Sequence, residues 1–169
     1  AIDKLISPPL FPISKEMFSE TVSFHSFVPG NTLKLDKICS VETSLFPHPG
    51  QNCGFRLKKF NKNTLCYISD IESNSKNTLD KVIEFSKVGT HLIIDSSYTR
   101  EELKSRKGWG HLCLDDIEII ASAIPEIQIF LYHHDIFKSD NQLENDSYSI
   151  ISNHPNVRLA KQFDKIQLS

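Results

Sequence analysis

Several histidines and carboxylates stand where a folded sheet could gather them. His48 follows the run SVETSLFP and precedes the tight Pro49-Gly50 turn. Asp70 closes TLCYIS, and His133 closes IQIFLY with His134 and Asp135 behind it. Strand ends along one edge are where α/β sheets place ligands. Imidazole and carboxylate are donors that suit zinc, manganese or iron, and a carboxylate can bridge two ions. In KGWGHL, His111 comes after two glycines and a tryptophan, just before a helix starting near Leu114. Glycines allow close backbone approach and a helix N-terminus favours an anion, so this histidine could be offered to a phosphate. Each position also has a plainer reading: a structural hydrogen bond for His48, a turn or cap for Asp70, a polar surface pair for His133 and His134, and a core-plugging tryptophan loop around His111.

The elements that must position these residues fall into two regimes. Residues 1–20 are rich in proline and aromatics and read as an irregular lead-in, with a short helical turn near Ser14 to Phe18. From Thr21 to Asp70, the runs TVSFHSFV, TLKLD, KICSVETSLF, CGFRLKKF and TLCYISD are divided by turn residues, which predicts an antiparallel meander. The period then changes. Asn77 or Thr78 can cap a helix with Leu79, Val82, Ile83 and Ser86 on one face, ending at Gly89. HLIID reads as a buried strand, and Thr99 with Glu102 has capping-box spacing. A helix over Leu114 to Ala123 with Leu114, Ile117, Ile120 and Ala121 inward, the strand IQIFLY, a helix over about Asn141 to Ser152 and two final short strands complete the pattern. The fold class is α/β, a sheet covered by helices, in a single domain over residues 1–169.

The bulk numbers fit a globular chain: 39% hydrophobic, 24% charged, net charge −2. That charge implies no basic face for nucleic acid; Lys58, Lys59 and Lys62 form the nearest approach to a patch. Cys39, Cys53, Cys66 and Cys113 are scattered in or beside apolar stretches and read as buried reduced thiols, which fits the cytoplasm. No apolar run has the length of a membrane span. The first residue is Ala1 and the one methionine is Met17, so either an initiator was removed or the chain is a piece of something longer.

Taken in order, four segments resemble metallo-β-lactamase-fold hydrolases, in the branch of cyclic-phosphate phosphodiesterases and tRNA 3′-end endonucleases. FPHPGQNCGFRL is similar to the family's HPG segment, YISDIE to its tyrosine-x-x-aspartate segment, LIIDSSYTREEL with GWGH to its long loop and glycine-histidine element, and FLYHHDIFKSD to its closing strand. The resemblance implies the C-terminal half of an αββα fold. It implies two divalent metal ions, zinc with manganese or iron as alternatives. His48 would hold one ion, Asp70 bridge both and His133 hold the other, with His134 as the alternative to His133. His111 would be the acid that protonates the leaving oxygen, or a clamp on the phosphoryl group. Asp95 and Tyr98 would orient that loop, and metal-activated hydroxide would attack a small phosphodiester or nucleotide-like substrate.

Two departures qualify the resemblance. The family's HxHxDH loop has no counterpart: His25 stands alone in SFHSF. Leu112 replaces the small hydroxyl residue usual after the glycine-histidine pair, which points to altered phosphate contacts. The expectation is therefore an incomplete site, inactive in isolation, whose missing N-terminal half or second chain covers an apolar face. Self-association or a non-catalytic interaction module is the alternative.

Overall fold

The structure, a computed structural model, describes residues 7, 9, 11, 22–60, 62–72 and 75–168. Seven strands form one mixed sheet in simple sequence order: β1 (Thr32–Lys34), β2 (Cys39–Phe46), β3 (Asn52–Lys59), β4 (Lys62–Ile68), β5 (His91–Asp95), β6 (Gln128–Tyr132) and β7 (Val157–Leu159). The first four run antiparallel to their neighbours, and β4 to β7 run parallel. Parallel neighbours need a crossover, supplied by α1 (Lys76–Ser86) between β4 and β5, α2 (Arg100–Ser105) and α3 (Leu114–Ala123) between β5 and β6, and α4 (Asp140–Asn153) before β7. Successive crossovers of the usual right hand, in unbroken strand order, put these helices on one face.

The core lies between that face and the helices. Cys66, Ile68, Leu92, Ile94, Ile129 and Leu131 alternate along β4 to β6 and are buried completely. Val82 of α1, Ile117 and Ile120 of α3 and Ile150 of α4 meet them. Residues of the opposite parity, Phe55, Leu57, Leu65, Tyr67 and Ile93, face the other way and are only half-buried. Phe27 packs edge-on against Phe55 on that side.

Most predicted elements are present, with three corrections. TVSFHSFV forms no strand over its described residues, 22–28, because β1 already occupies the edge beside β2. Ser75 caps α1 through the Thr78 amide, so Asn77 and Thr78 lie inside the helix, and Thr78 is buried. One closing strand forms where two were expected, since after Leu159 the chain makes a turn at Lys161 to Asp164 and adds no further strand among the described residues. The expected turn at Ser14 to Phe18 lies outside the described residues. The capping box of Thr99 and Glu102 is formed, and α3 has the expected bounds. Its Leu114 is partly buried against the core.

All four cysteines are free thiols, but only Cys66 and Cys113 are buried as expected; Cys39 and Cys53, on β2 and β3, are partly exposed. Burial pushes the Cys66 thiol up to about 11 and that of Cys113 up to about 12, so both stay protonated at neutral pH. Lys58 pairs with Glu42, which also binds Arg56, and this neutralises part of the small basic patch. No described helix is long and apolar enough to cross a membrane.

Removing a branched side chain from the central strand should leave a cavity the sheet cannot close. Ile94→Ala is expected to cost about 2–5 kcal/mol in urea unfolding. A loss under about 1 kcal/mol would mean the core is not packed as described.

Candidate metal centre

Strand direction decides what can meet. β2, β4, β5 and β6 all point the same way, since β2 reaches β4 through two antiparallel steps and the rest are parallel. Their ends therefore share one edge. His48 lies two residues past β2 and Asp70 two past β4. Asp95 is the last residue of β5, and His133 is the first beyond β6.

At that edge, ligand atoms of Asp70, His111 and His133 all lie within 4.8 Å of one another. His133 Nε2 is 3.2 Å from Asp70 Oδ1. The His111 and His133 rings stack with centroids 4.9 Å apart. Asp70 and His133 both have positive φ, 51° and 56°, in the left-handed region. Such a conformation costs energy for a residue with a side chain, although Asp and His adopt it more readily than most. Both side chains are somewhat over one-third exposed, open to solvent and to a ligand.

Behind this trio lies Asp95, completely buried. Its Oδ2 accepts from His111 Nδ1 at 2.7 Å, and its Oδ1 accepts from the Ser97 amide and hydroxyl at 3.1 and 3.0 Å. Ser97 Oγ also lies against the His133 carbonyl and 3.3 Å from His133 Nδ1. One buried carboxylate thus orients His111 directly and His133 through a serine. The hydrogen bond to Asp95 raises the His111 pKa above the ordinary value; burial opposes the rise, and the charges of Asp95, Asp70 and Glu72 add to it. Tyr98 stands edge-on to His111 at 5.5 Å and carries Arg106 over its ring. Burial raises the Tyr98 pKa, with Arg106 opposing.

The loop bearing His111 is pinned at both ends. Tyr98 bridges to Leu112 and Leu114 through backbone hydrogen bonds of 3.3 and 2.9 Å. Gly110 approaches His48 so closely that a Cβ there would lie 2.0 Å from His48 Nδ1, and its φ of +91° is one glycine tolerates. His48 Nδ1 is 3.0 Å from the Gly110 carbonyl, with its ring 6.0 Å from that of His111.

The expected residues therefore divide. Asp70, His111 and His133 are brought together, with Asp95 and Tyr98 beside them. His48 borders the group through His111 and is not one of its three members. Of the adjacent histidines, His133 joins Asp70, whereas His134 lines a separate cavity with Asp140, Leu143 and Leu159. Burial lowers the His134 pKa, and its Nε2 has no hydrogen-bond partner among the described residues. Leu112 is wholly buried in the core. His25 is exposed and hydrogen-bonds locally with Ser23. Ser97, Asn52 (whose side chain binds the Ser69 and Asp70 carbonyls) and Glu72 were not read from the sequence as site residues. Their only trace is polarity inside apolar stretches.

The donor set suits a divalent cation. A carboxylate and two imidazoles converge, and the His111 Nδ1 proton rests on a carboxylate, the arrangement that leaves the other ring nitrogen facing a metal or a substrate.

No protein-family model matches the sequence, and no curated protein matches it. Solved structures do match it in shape. The metallo-β-lactamase-fold protein YhfI from Bacillus subtilis superposes over 86% of this chain with a TM-score of 0.60 and 18% identity. The fold is the metallo-β-lactamase fold. Human tRNase Z, short form, matches over 82% with a TM-score of 0.57 and 17% identity. Zinc-bound PqqB from Methylobacterium extorquens matches over 90% with a TM-score of 0.61 and 16% identity. The chain spans 58% of the length of YhfI, 46% of human tRNase Z and 58% of PqqB. In this metallo-β-lactamase fold, the polar cluster occupies the carboxyl edge of the parallel strands.

Two outcomes are expected. Gly110→Ala would drive a methyl into the His48 ring and strain the backbone, lowering zinc uptake in equilibrium dialysis by tenfold or more, by analogy with disturbed metal-supporting shells; unchanged uptake would show that the His48 contact is dispensable. For the metal-free protein, a raised His111 pKa means the folded state holds that proton more tightly than the unfolded chain. This stabilisation is complete below about pH 6.5 and fades as pH rises through the raised value. The stability gap between wild type and His111→Gln should narrow from acid to alkaline pH in denaturant titrations; a gap that widens would contradict the Asp95 pairing.

Proposed function

We propose that this chain belongs to a metal-dependent hydrolase acting on a phosphodiester, with Asp70 and His133 as metal ligands and His111 as the acid. The convergence of Asp70, His111 and His133 carries the reading. A scaffold needs no such set at the edge of its sheet, and two of the three sit in a costly backbone conformation. Divalent ions at this edge would supply hydroxide at neutral pH and positive charge beside a phosphoryl oxygen. The chain's own part is to position and to move a proton. Asp95 fixes the Nδ1–H of His111 and favours the imidazolium, whose Nε2 proton is then available to the leaving oxygen as the phosphorus–oxygen bond breaks. His48 stands beside His111 with Nδ1 committed to Gly110, which leaves its Nε2 as a ligand for a second ion. Support for a phosphodiester comes from the position of His111 in the resembling segment and from the likeness in shape to a tRNase.

With His111 kept as the acid, Asp70, His133 and His48 are too few to complete the pair of ions the resemblance implies. Activity is therefore expected of an assembly that adds further ligands, from a longer chain or a second one, and the 169 residues alone are expected to be inactive. The half-buried apolar face of Phe55, Leu57, Leu65, Tyr67 and Ile93 favours the second reading, an interaction module that docks a partner or a second copy. Asp70→Ala separates the two. In the complete assembly, loss of both bound zinc and hydrolysis of bis(p-nitrophenyl) phosphate is expected of the enzyme, by a hundredfold or more in rate, in the range set by removing a metal-holding group. Wild-type assembly that takes up no metal and hydrolyses nothing, yet binds its partner as the variant does, would replace the enzyme with the module.

A further inference from the structure

Glu72 lies two residues beyond Asp70, is buried, and is not one of the three converging residues Asp70, His111 and His133. It nevertheless joins three segments. Its backbone amide donates to the Pro47 carbonyl at 2.7 Å, just before His48. Its Oε1 accepts from the Gly108 amide at 3.0 Å, and its Oε2 accepts from the Gly110 amide at 2.6 Å. A carboxylate offers two acceptors fixed in one plane, and N–H groups on an ionised oxygen make hydrogen bonds of the stronger class. Both glycines have positive φ, 84° and 91°, a loop shape with no internal ladder to hold it. An apolar side chain at position 72 would leave the buried Gly110 amide, and the more exposed Gly108 amide beside it, without this acceptor, at a cost typical of an unmade hydrogen bond where the amide is buried.

The clamp continues into the histidines. The Gly110 carbonyl, which can only accept, faces His48 Nδ1 at 3.0 Å, so Nδ1 must carry the proton and the neutral ring must present an unprotonated Nε2. The same peptide lies against the His48 ring closely enough to exclude any Cβ. His111 is the next residue. Whatever fixes Gly110 therefore fixes the tautomer and orientation of one histidine and the starting point of the other.

We propose that Glu72 is a positioning residue, which by clamping the Gly108 and Gly110 amides sets the tautomer and ring orientation of His48 and places His111. The use made of those two rings rests on the metal-centre reading above; the clamp itself does not. On the metal-free chain, amide hydrogen exchange and nitrogen-resolved imidazole spectra are the direct measurements. The wild type is expected to show protected Gly108 and Gly110 amides and a His48 ring in the Nδ1–H form alone. In Glu72→Gln one oxygen becomes an amino group that cannot accept. Exchange of at least one glycine amide should then quicken tenfold or more, and His48 should populate both tautomers. Zinc affinity of Glu72→Gln, by competition with a chromophoric chelator, should fall about 10- to 100-fold. Ile150→Val, a change in α4 within the core, should leave it as in wild type even where it lowers the midpoint of unfolding as much.

Unprotected glycine amides in the wild type would overturn the clamp without any variant. A His48 ring that keeps its single tautomer after the amides are released would overturn the positioning role. Equal loss of zinc in both variants would also overturn it, because the effect would then be one of general stability. If the wild type binds no zinc while the ring and amide changes occur as expected, the metal reading fails and the positioning role stands.

Discussion

The arrangement depends on three parallel strands ending at the same level. Ile68 pairs with Ile94, and Asp95 pairs with Tyr132, so the chain leaves β4, β5 and β6 side by side. Because side chains alternate faces, a slip of one residue in either pairing would turn the buried isoleucines and leucines out of the core. The packing that holds Cys66, Ile68, Leu92, Ile94, Ile129 and Leu131 under the helices therefore also sets where Asp70, Asp95 and His133 emerge. Hydrophobic burial fixes the register, and the register fixes the site.

Above that level the controlling group is Asp95. A buried carboxylate is costly unless its oxygens are fully engaged. Asp95 meets this condition with one imidazole nitrogen, one amide and one hydroxyl. Those partners are the groups that need orienting, so burial of the acid and alignment of the histidines are one requirement met once. The left-handed backbone at Asp70 and His133 adds strain at the same place. Local strain of this kind persists only where the surroundings over-determine it, and the buried face of three paired strands does so.

The two faces of the sheet serve different purposes. One carries the helices and the core. The other presents half-buried apolar and aromatic residues beside a stretch, residues 22–28, that packs by Phe27 without joining the ladder. The three matched proteins are longer than this chain, which spans about half of human tRNase Z. An apolar sheet face and a cluster of one carboxylate and two imidazoles thus meet in one molecule, and both bear on the assembly proposed above.

What the sequence determined by itself was periodic or local. HLIID, IQIFLY and the helix from Leu114 to Ala123 announce themselves by burial pattern and length, and Thr99 with Glu102 by cap spacing, because those forces act within a few residues. The strand-end positions of Asp70 and His133 follow from the same runs. TVSFHSFV misled because alternation shows that a segment can pair, not that an edge is free for it. Only the tertiary structure decided which histidines meet: His111 joined Asp70 and His133, His48 turned its Nδ1 to Gly110, and His134 went to another cavity. It alone brought in Glu72 and Ser97, whose partners lie 36 to 38 residues away in sequence. A hydrogen bond across that separation leaves no periodic trace in the chain. It exists because packing has already placed both partners, and burial then leaves their polar groups no one else to satisfy.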